Sequence, residues 1–428
     1  MGELVELKQS PRRKKLLLYS INFVPELTGI GKYNGEMVQW LTEHGYEVRV
    51  ITAPPYYPHW QVQEGYSSYR YKKESWNGAT IWRCPLWVPK SGSGLKRLLH
   101  LFSFAFSSIP LLFKHMLWRP DVCLIVEPPL ALSPMAIVFA KLLKIKTWLH
   151  VQDFEVDAAF ELGLLPNYTR LKSWVIGLES WLMRRFDTVS SISEPMTRRL
   201  LKKGVPSNRI KLFPNWVDIS VIHPLPDEAR NRFRENMGYA REDLVVLYSG
   251  NMGEKQGLDT VLDAAEKLQS MSHVQFMLCG EGVAKSKLME RASKQRLSNV
   301  RFLPLQPAEK LNDLLNMADV HLLMQKRNAS DLVMPSKLTG MLASGRAVIA
   351  AAEEQTAVHS VMKQSRAGVL IPPEDAAKLT EALLSLSIRS EDRKLHGDHA
   401  REYAVSYLGY ESVMNAFQQI MIELGVRA

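Results

Sequence analysis

Three windows in the second half of the chain place glycines, lysines and helix starts where an anion could be held. Residues 247–268, LYSGNMGEKQGLDTVLDAAEKL, run from an apolar stretch through Gly250, Gly253 and Gly257 into an amphipathic segment, with Asn251, Lys255 and Gln256 at its start. Residues 277–288, MLCGEGVAKSKL, put Glu281 between Gly280 and Gly282. Residues 333–351, VMPSKLTGMLASGRAVIAA, carry Pro335 and Ser336 as helix-start signals, with Ser336 the candidate cap, Lys337 in the first turn and Ser344-Gly345 as the stop. A lysine in a first turn opposes the helix dipole, at a cost of roughly a few tenths of a kcal/mol unless an anion sits there. Asp331, the nearest acid, lies outside the expected helix. Lysines, glycine N–H groups and helix N-termini at three strand ends predict a diphosphate cradle. No Asp-x-Asp or Walker A motif accompanies them, so neither a metal ion nor another cofactor is expected.

The first half carries a weaker version of the device. In NFVPELTGIGKYNGEMVQWLTEHG (22–45), Gly29 and Gly31 fall in the expected loop between the first strand and a helix, where open α/β sheets bind ligands; a plain tight turn is the other reading. KTWLHVQDFEVD (146–157) ends a strand-like run at His150, Gln152 and Asp153. A period of two puts His150 and Gln152 on one face. A contact to a ligand and a satisfied core position both suit His150, whereas Asp153 at the strand end is the better-placed polar group.

These windows need a scaffold, and the apolar pattern supplies one. Runs at 16–21, 47–52, 122–127, 146–152, 188–193 and 210–215, and at 244–250, 274–280, 300–305, 320–325, 347–351 and 368–373, alternate with helix-length amphipathic segments. Continuous apolar runs bounded by Gly, Pro and Asn read as buried parallel strands with crossover helices. Two sets of about six predict two doubly wound, Rossmann-like α/β domains, joined near PNWVDISVIHPLPDE (214–228). The expected division is 1–213, 214–402 and a terminal helical stretch, 403–428, that closes the second domain or reaches back to the first.

Composition narrows the function classes. Three scattered cysteines, Cys84, Cys123 and Cys279, offer no metal-ligand spacing or disulfide framework and suit a reducing compartment. The first residues, MGELVELKQSPRRKK, do not have the pattern of a signal peptide. The net charge of +10 divides unevenly: residues 1–214 carry +12 and residues 215–428 carry −2, and all ten Trp lie at or before Trp216. Window 54–119 alone holds nine Lys/Arg against two acids, with fourteen aromatics. A basic, aromatic surface suits an anionic membrane or an anionic lipid-linked substrate. Nucleic acid competes on charge but lacks any recognisable module and is not expected. Residues 98–118 are apolar and acid-free but interrupted by His100, Pro110, Lys114 and His115, which predicts a buried or interfacial helix rather than a spanning one.

Taken together, GNMGEKQGL, LCGEG and MPSKLTGMLASGRAVI, with NFVPELTGIGKYNGEM and PPYYPHWQV in the first half, resemble the retaining GT-B glycosyltransferases of family four. Within them the chain is most similar to exopolysaccharide transferases of the colanic-acid type, a group associated with fucosyl transfer. The resemblance implies two Rossmann-like domains facing across a cleft, with a GDP- or UDP-linked sugar in the second and a polyprenyl-diphosphate-linked saccharide in the first. It implies a metal-independent hexosyltransferase, cytoplasmic and peripheral on the inner face of the cell membrane. It sets Gly250, Lys255, Ser336 and Lys337 on the diphosphate, Gly280–Gly282 beside nucleotide and sugar, and Gly29 and Gly31 towards sugar and diphosphate. His150 and Asp153 are the implied catalytic positions, although relatives carry His-Asp where this chain has Gln152-Asp153. Asn251 and Gln256 stand where relatives carry Arg and Lys, and Leu332 and Gly340 stand where they carry two Glu, the second a ribose ligand. That departure leaves one alternative, a non-catalytic membrane-associated scaffold with a degenerate donor site.

Overall fold

Strands whose residues are buried on both faces form the centres of two sheets. The computed structural model describes residues 13–26, 29–89, 94–161, 169–327 and 335–426. The chain divides into two compact units: Met1–Ile192 with Thr197–Phe213 and Met414–Ala428, and Ser193–Met196 with Pro214–Val413.

The first unit holds β1 (Lys15–Tyr19), β2 (Glu47–Thr52), β3 (Lys72–Trp76), β4 (Ala79–Arg83), β5 (Val122–Glu127), β6 (Lys146–Val151), β7 (Thr188–Ser191) and β8 (Ile210–Leu212). They lie in the order β3-β4-β2-β1-β5-β6-β7-β8, and only the β3–β4 pair is antiparallel. Every residue of β5, VCLIVE, is buried, which explains its unalternating composition. The helices in order are α1 (Gly29–Glu43), α2 (Gly94–Lys114), α3 (Ser133–Leu143), α4 (Glu155–Glu161), α5 (Thr169–Met183) and α6 (Glu194–Lys202). From β1 the chain steps through α1 to β2 in one direction, and from β4 through α2, α3 and α5 it steps the other way. Right-handed crossovers therefore put α1 on one face and α2, α3 and α5 on the other, and the direction reverses between β1 and β5.

The β3–β4 hairpin is absent from the strand expectation. KKESW is polar because β3 is an edge strand, so it lacks the apolar run that marks its neighbours. Its turn was nonetheless signalled by Asn77-Gly78, whose φ values of 41° and 79° are those of a tight hairpin turn. The acid-free stretch expected at 98–118 forms α2, and among the described residues no helix is long and apolar enough to cross a membrane.

The second unit holds β9 (Leu244–Ser249), β10 (Val274–Cys279), β11 (Val300–Leu303), β12 (Val320–Leu323), β13 (Ala347–Ala351) and β14 (Gly368–Ile371), all parallel, in the order β11-β10-β9-β12-β13-β14. Its helices are α7 (Asp227–Asn236), α8 (Asp259–Lys267), α9 (Lys285–Lys294), α10 (Leu311–Asn316), α11 (Ser336–Ala343), α12 (Ala357–Ser365), α13 (Ala376–Ile388) and α14 (Ser390–Tyr403). Strand order reverses between β9 and β12, so the crevice at their carboxyl ends is the switch point where open sheets take ligands.

The final helix, α15 (Tyr410–Glu423), ends in the first unit. Phe417, fully buried, lies 4.8 Å from the Trp148 ring of β6 and 5.6 Å from Phe213. Phe417→Ala should therefore destabilise that unit by about 3–4 kcal/mol, seen as an earlier transition in a urea titration; an unmoved transition would show that α15 adds nothing to its core.

Candidate functional site

In the second unit the backbone itself builds the cradle. β9 ends at Gly250 (φ 140°) and β10 at Gly280 (φ 147°) and Gly282 (φ 151°). A Cβ on Gly280 would stand 1.9 Å from the Gly250 carbonyl oxygen, and one on Gly282 would stand 2.4 Å from that of Met252. No side chain fits either place, so both positions require glycine. The Gly250 N–H donates to Cys279 O at 2.9 Å and the Met252 N–H to Glu281 O at 2.7 Å, locking the two strand-end loops together. The Glu281 carboxylate turns aside to pair with Lys285 at 2.7 Å.

Lys337 reaches into this corner from α11. Its side chain passes Gly250, where a Cβ would meet Lys337 Cδ at 3.4 Å. Its ammonium lies 4.5 Å from the Tyr248 ring centroid and donates to the Tyr248 hydroxyl oxygen at 3.3 Å. Tyr248 in turn donates its O–H to Asn251 O at 2.5 Å. Among the described residues no carboxylate pairs with Lys337, and burial lowers its pKa to about 8. The ring supports the cation without neutralising it, leaving a positive group at the switch point with capacity for an anion.

The helix start differs from its expectation in one detail. Pro335, not Ser336, occupies the cap position, and no side chain caps α11; Ser336 is the first helical residue, its carbonyl accepting from Thr339 Oγ1 at 2.7 Å. Proline's fixed φ suits a helix start, so the serine moves inside the first turn. The N–H groups there are left without a capping side chain, beside Lys337. Ser344 and Gly345 (φ 66°) end the helix as expected. Gln256 engages its own loop, its Oε1 accepting the Gly253 N–H at 3.0 Å, while Lys255 stays exposed and its carbonyl accepts the Lys326 N–H at 2.8 Å. Gly340 lies on the second turn of α11, facing Leu315; Leu332 and Asp331 lie outside the described residues.

In the first unit Gly29 and Gly31 belong to the first turn of α1 rather than to a loop before it. Gly31 is required there because a Cβ would come within 2.6 Å of Glu26 Oε2. Glu26 is buried, and its Oε1 accepts the N–H groups of Tyr56 and Tyr57, both at 3.0 Å, pinning the aromatic segment onto this turn.

His150 is a core residue. Gln152 donates to its Nε2 at 2.9 Å, so Nδ1 carries the hydrogen and donates to Ser190 Oγ at 2.9 Å. Burial lowers its pKa to about 3, so it stays neutral with both nitrogens committed. Asp153 follows Gln152 at the end of β6 and is exposed.

Sequence reasoning missed Tyr248, and it missed a set of carboxyl groups at the carboxyl ends of β5 and β6. Glu127, the last residue of β5, is fully buried with neither oxygen partnered. Burial first, then Glu179, Glu155 and Asp153, push its pKa well up against the opposing charge of Lys203. Lys203 pairs with Glu179 and, at 3.0 Å, with Asp157, which Arg199 also contacts at 2.8 Å. Glu155 accepts the Leu130 N–H at 2.8 Å, and burial with its acidic neighbours raises its pKa to about 7. Among the described residues no group of His, Cys, Asp and Glu is arranged to hold a metal ion.

Comparison with known proteins places this geometry. A family described as glycosyl transferase 4-like domain matches residues 28–216, and one described as glycosyl transferases group 1 matches residues 243–388. A protein named as a colanic acid biosynthesis glycosyl transferase, WcaI of Escherichia coli strain K12, is 42% identical over 406 residues, 94% of this chain and 98% of its own. The chain belongs to the glycosyltransferases. Its fold is the GT-B architecture. Sucrose-phosphate synthase from Thermosynechococcus elongatus matches with a TM-score of 0.71, 15% identity and coverage of 97% and 100% of the two chains. WaaG, a glycosyltransferase involved in lipopolysaccharide biosynthesis, matches with a TM-score of 0.64, 14% identity and coverage of 95% and 99%.

The carboxyl set gives the transferase a pH signature. Glu155 binds its proton more tightly folded than unfolded, so its contribution to stability is complete below about pH 4.5 and is lost as pH rises through 7. Because the residue is only partly buried, the loss should be about 2 kcal/mol rather than the full equivalent of the shift. Glu155→Gln should keep that stability at pH 8, and urea titrations at pH 5 and pH 8 measure the difference. Equal pH dependence in wild type and variant would show that Glu155 is not the titrating group.

Proposed function

We propose that the transferase moves a hexosyl group, fucosyl being the first candidate, from a GDP- or UDP-linked donor to a lipid-linked saccharide in exopolysaccharide biosynthesis. It would work in the cytoplasm at the inner face of the cell membrane. The observation that carries the reading is Lys337: a cation on the Tyr248 ring, without a carboxylate among the described residues, beside Gly250 and an uncapped helix start. That constellation suits a nucleotide's diphosphate. The 42% identity to the Escherichia coli colanic acid protein over nearly the whole length of both chains supports the pathway assignment.

In this reading Lys337, Lys255 and the N–H groups of α11 oppose the charge that grows on the diphosphate as the glycosidic bond breaks. The proposal gives those groups the whole counter-charge and requires no metal ion. Transfer with retention follows if the acceptor attacks the face that the diphosphate vacates, a phosphate oxygen taking the acceptor's proton. Gly280–Gly282 supplies backbone room beside nucleotide and sugar. In the first unit the Gly29–Gly31 turn is assigned to donor, and Asp153, rather than the committed His150, to the reacting sugar.

A second reading, a scaffold with a degenerate donor site, is favoured by Gly340 and by Gln256, which engages its own loop. Calorimetry with UDP and GDP, and transfer assays with a panel of their sugars plus a lipid-linked acceptor, separate the two. The transferase should bind one nucleotide and turn over its sugar; no binding and no donor loss across the panel would leave the scaffold.

Lys337 sets the pH dependence. Only its ammonium form binds the diphosphate, so nucleotide affinity should fall as pH rises above about 8, approaching tenfold per pH unit. Lys337→Arg should bind with little change across the same range, and Lys337→Ala should bind about 10–100-fold more weakly at pH 7. A wild-type affinity flat from pH 7 to 10 would remove Lys337 from the site.

A further inference from the structure

A cavity of about 270 Å³ opens in the first unit, beside the carboxyl ends of β2 and β4. Its walls include Tyr66, Ser67, Arg70, Tyr71, Lys72 and Arg83, and among the described residues no acid lines it. The loop that forms it is tied down on three sides. The Ser68 carbonyl accepts the Leu86 N–H at 2.8 Å, the Pro55 carbonyl accepts the Gln63 N–H at 3.0 Å, and the Tyr71 hydroxyl donates to Ser107 O of α2 at 2.7 Å. Walls already fixed in place spare a ligand the cost of ordering them.

The charges on these walls are unequally committed. Arg83 is used inward: its Nε donates to Glu74 at 2.5 Å, Nη1 to Ala53 O at 2.9 Å and Nη2 to Val24 O at 2.6 Å. It stands behind Tyr66, 4.7 Å from the ring centroid, as a fixed positive backing. Lys72 lies 4.4 Å from the same centroid and shares that acid, its ammonium 3.2 Å from Glu74 Oε2 while Arg83 takes Oε1. One carboxylate therefore serves two cations. Arg70 is exposed, 5.6 Å from the Tyr69 ring centroid, and pairs with no carboxylate among the described residues. Its planar fork of donors is free to meet a planar anion.

We propose that this cavity is a second ligand site, which takes a sugar residue bearing a carboxylate on its own ring. Arg70 and Lys72 hold the acid, Tyr66 and Tyr71 flank the ring, and Arg83 keeps the wall positive without touching the ligand. Size and chemistry select this occupant together. The volume falls just below the ~300–1,000 Å³ of sites for drug-sized ligands, so it holds one sugar ring with its acid group rather than a nucleotide. A neutral sugar would leave Arg70 unneutralised, and a bare inorganic anion would leave the tyrosine walls unused. A sugar acid engages both. Set beside the proposed function, the site narrows the acceptor saccharide to one whose sugar is itself acidic; that consequence rests on the transferase reading, whereas the binding does not.

The test is a ligand-observed NMR titration of the full chain with glucuronic acid, glucose, glucose 1-phosphate and inorganic phosphate. Glucuronic acid differs from glucose only in the carboxylate at C6, so that pair isolates the acid. The wild type should bind glucuronic acid with a Kd on the order of 1 mM, and at least about tenfold more tightly than glucose. Arg70→Ala should weaken that binding about tenfold or more, and Arg70→Lys several-fold, because an ammonium lacks the fork. Arg70 is exposed, so both variants should keep the wild-type melting curve. Equal binding of glucose and glucuronic acid, or unchanged binding by Arg70→Ala, would overturn the proposal. So would tighter binding of glucose 1-phosphate or inorganic phosphate than of glucuronic acid, which would make the cavity a phosphate site. Nucleotide titrations in parallel keep the two readings apart. A chain that binds glucuronic acid but neither UDP nor GDP defeats the proposed function and leaves this site standing; the reverse result defeats this site alone.

Discussion

An ammonium group resting on a phenol ring, with glycine backbone on one side and a helix start on the other, organises the second unit's working corner. Lys337 runs past Gly250 on its way to Tyr248, and Gly250 is held at a φ of 140° that side chains rarely adopt. Gly250 in turn keeps its place because Gly280 lets the β10 loop approach the Gly250 carbonyl to a distance no side chain permits. Three elements distant in sequence, the ends of β9 and β10 and the start of α11, therefore depend on one another sterically. Their common product is positive potential without a neutralising acid among the described residues. A cation–π contact is well suited to that end, since it supports the charge with a quadrupole and leaves the ammonium's remaining donors unused.

The same corner also holds its own loops. Gln256 closes its own turn on Gly253, and Asn251 offers its carbonyl to Tyr248. With those two positions holding the loop, the positive groups left at this corner are Lys337, Lys255 and the uncapped N–H groups of α11. Gly340, packed toward Leu315, provides no ribose acceptor.

Much of this was legible in the residues, for identifiable reasons. The parallel strands showed because burial on both faces makes runs such as VCLIVE continuous, and the helix at 336–343 showed because Pro-Ser opens it and Ser-Gly closes it. The β3 edge strand did not show, because KKESW faces solvent and carries no apolar run, although Asn77-Gly78 announced its turn. Lys337 stood out as a cation in a first turn without acids, but its support did not: Tyr248 lies 89 residues away and reads as an ordinary strand aromatic. His150 presented two readings that spacing could not separate. The side chains of Gln152 and Ser190 decide for the core, and they meet it only because β6 and β7 are neighbours.

Glu127 is the opposite case, a residue whose chemistry is set entirely by enclosure. It ends an apolar strand at the place where strand order reverses, and nothing local reveals that its carboxyl will be shut away without a partner. Enclosure pushes its pKa well up, and Glu179 and Asp157 are paired with Lys203 inside the same unit. The first unit thus encloses Glu127 and Glu179, while α2, α3 and α5 carry six bases and no acid but Glu179. A fold that keeps acids at the strand ends and bases on the helix faces is polarised across a single layer of helices.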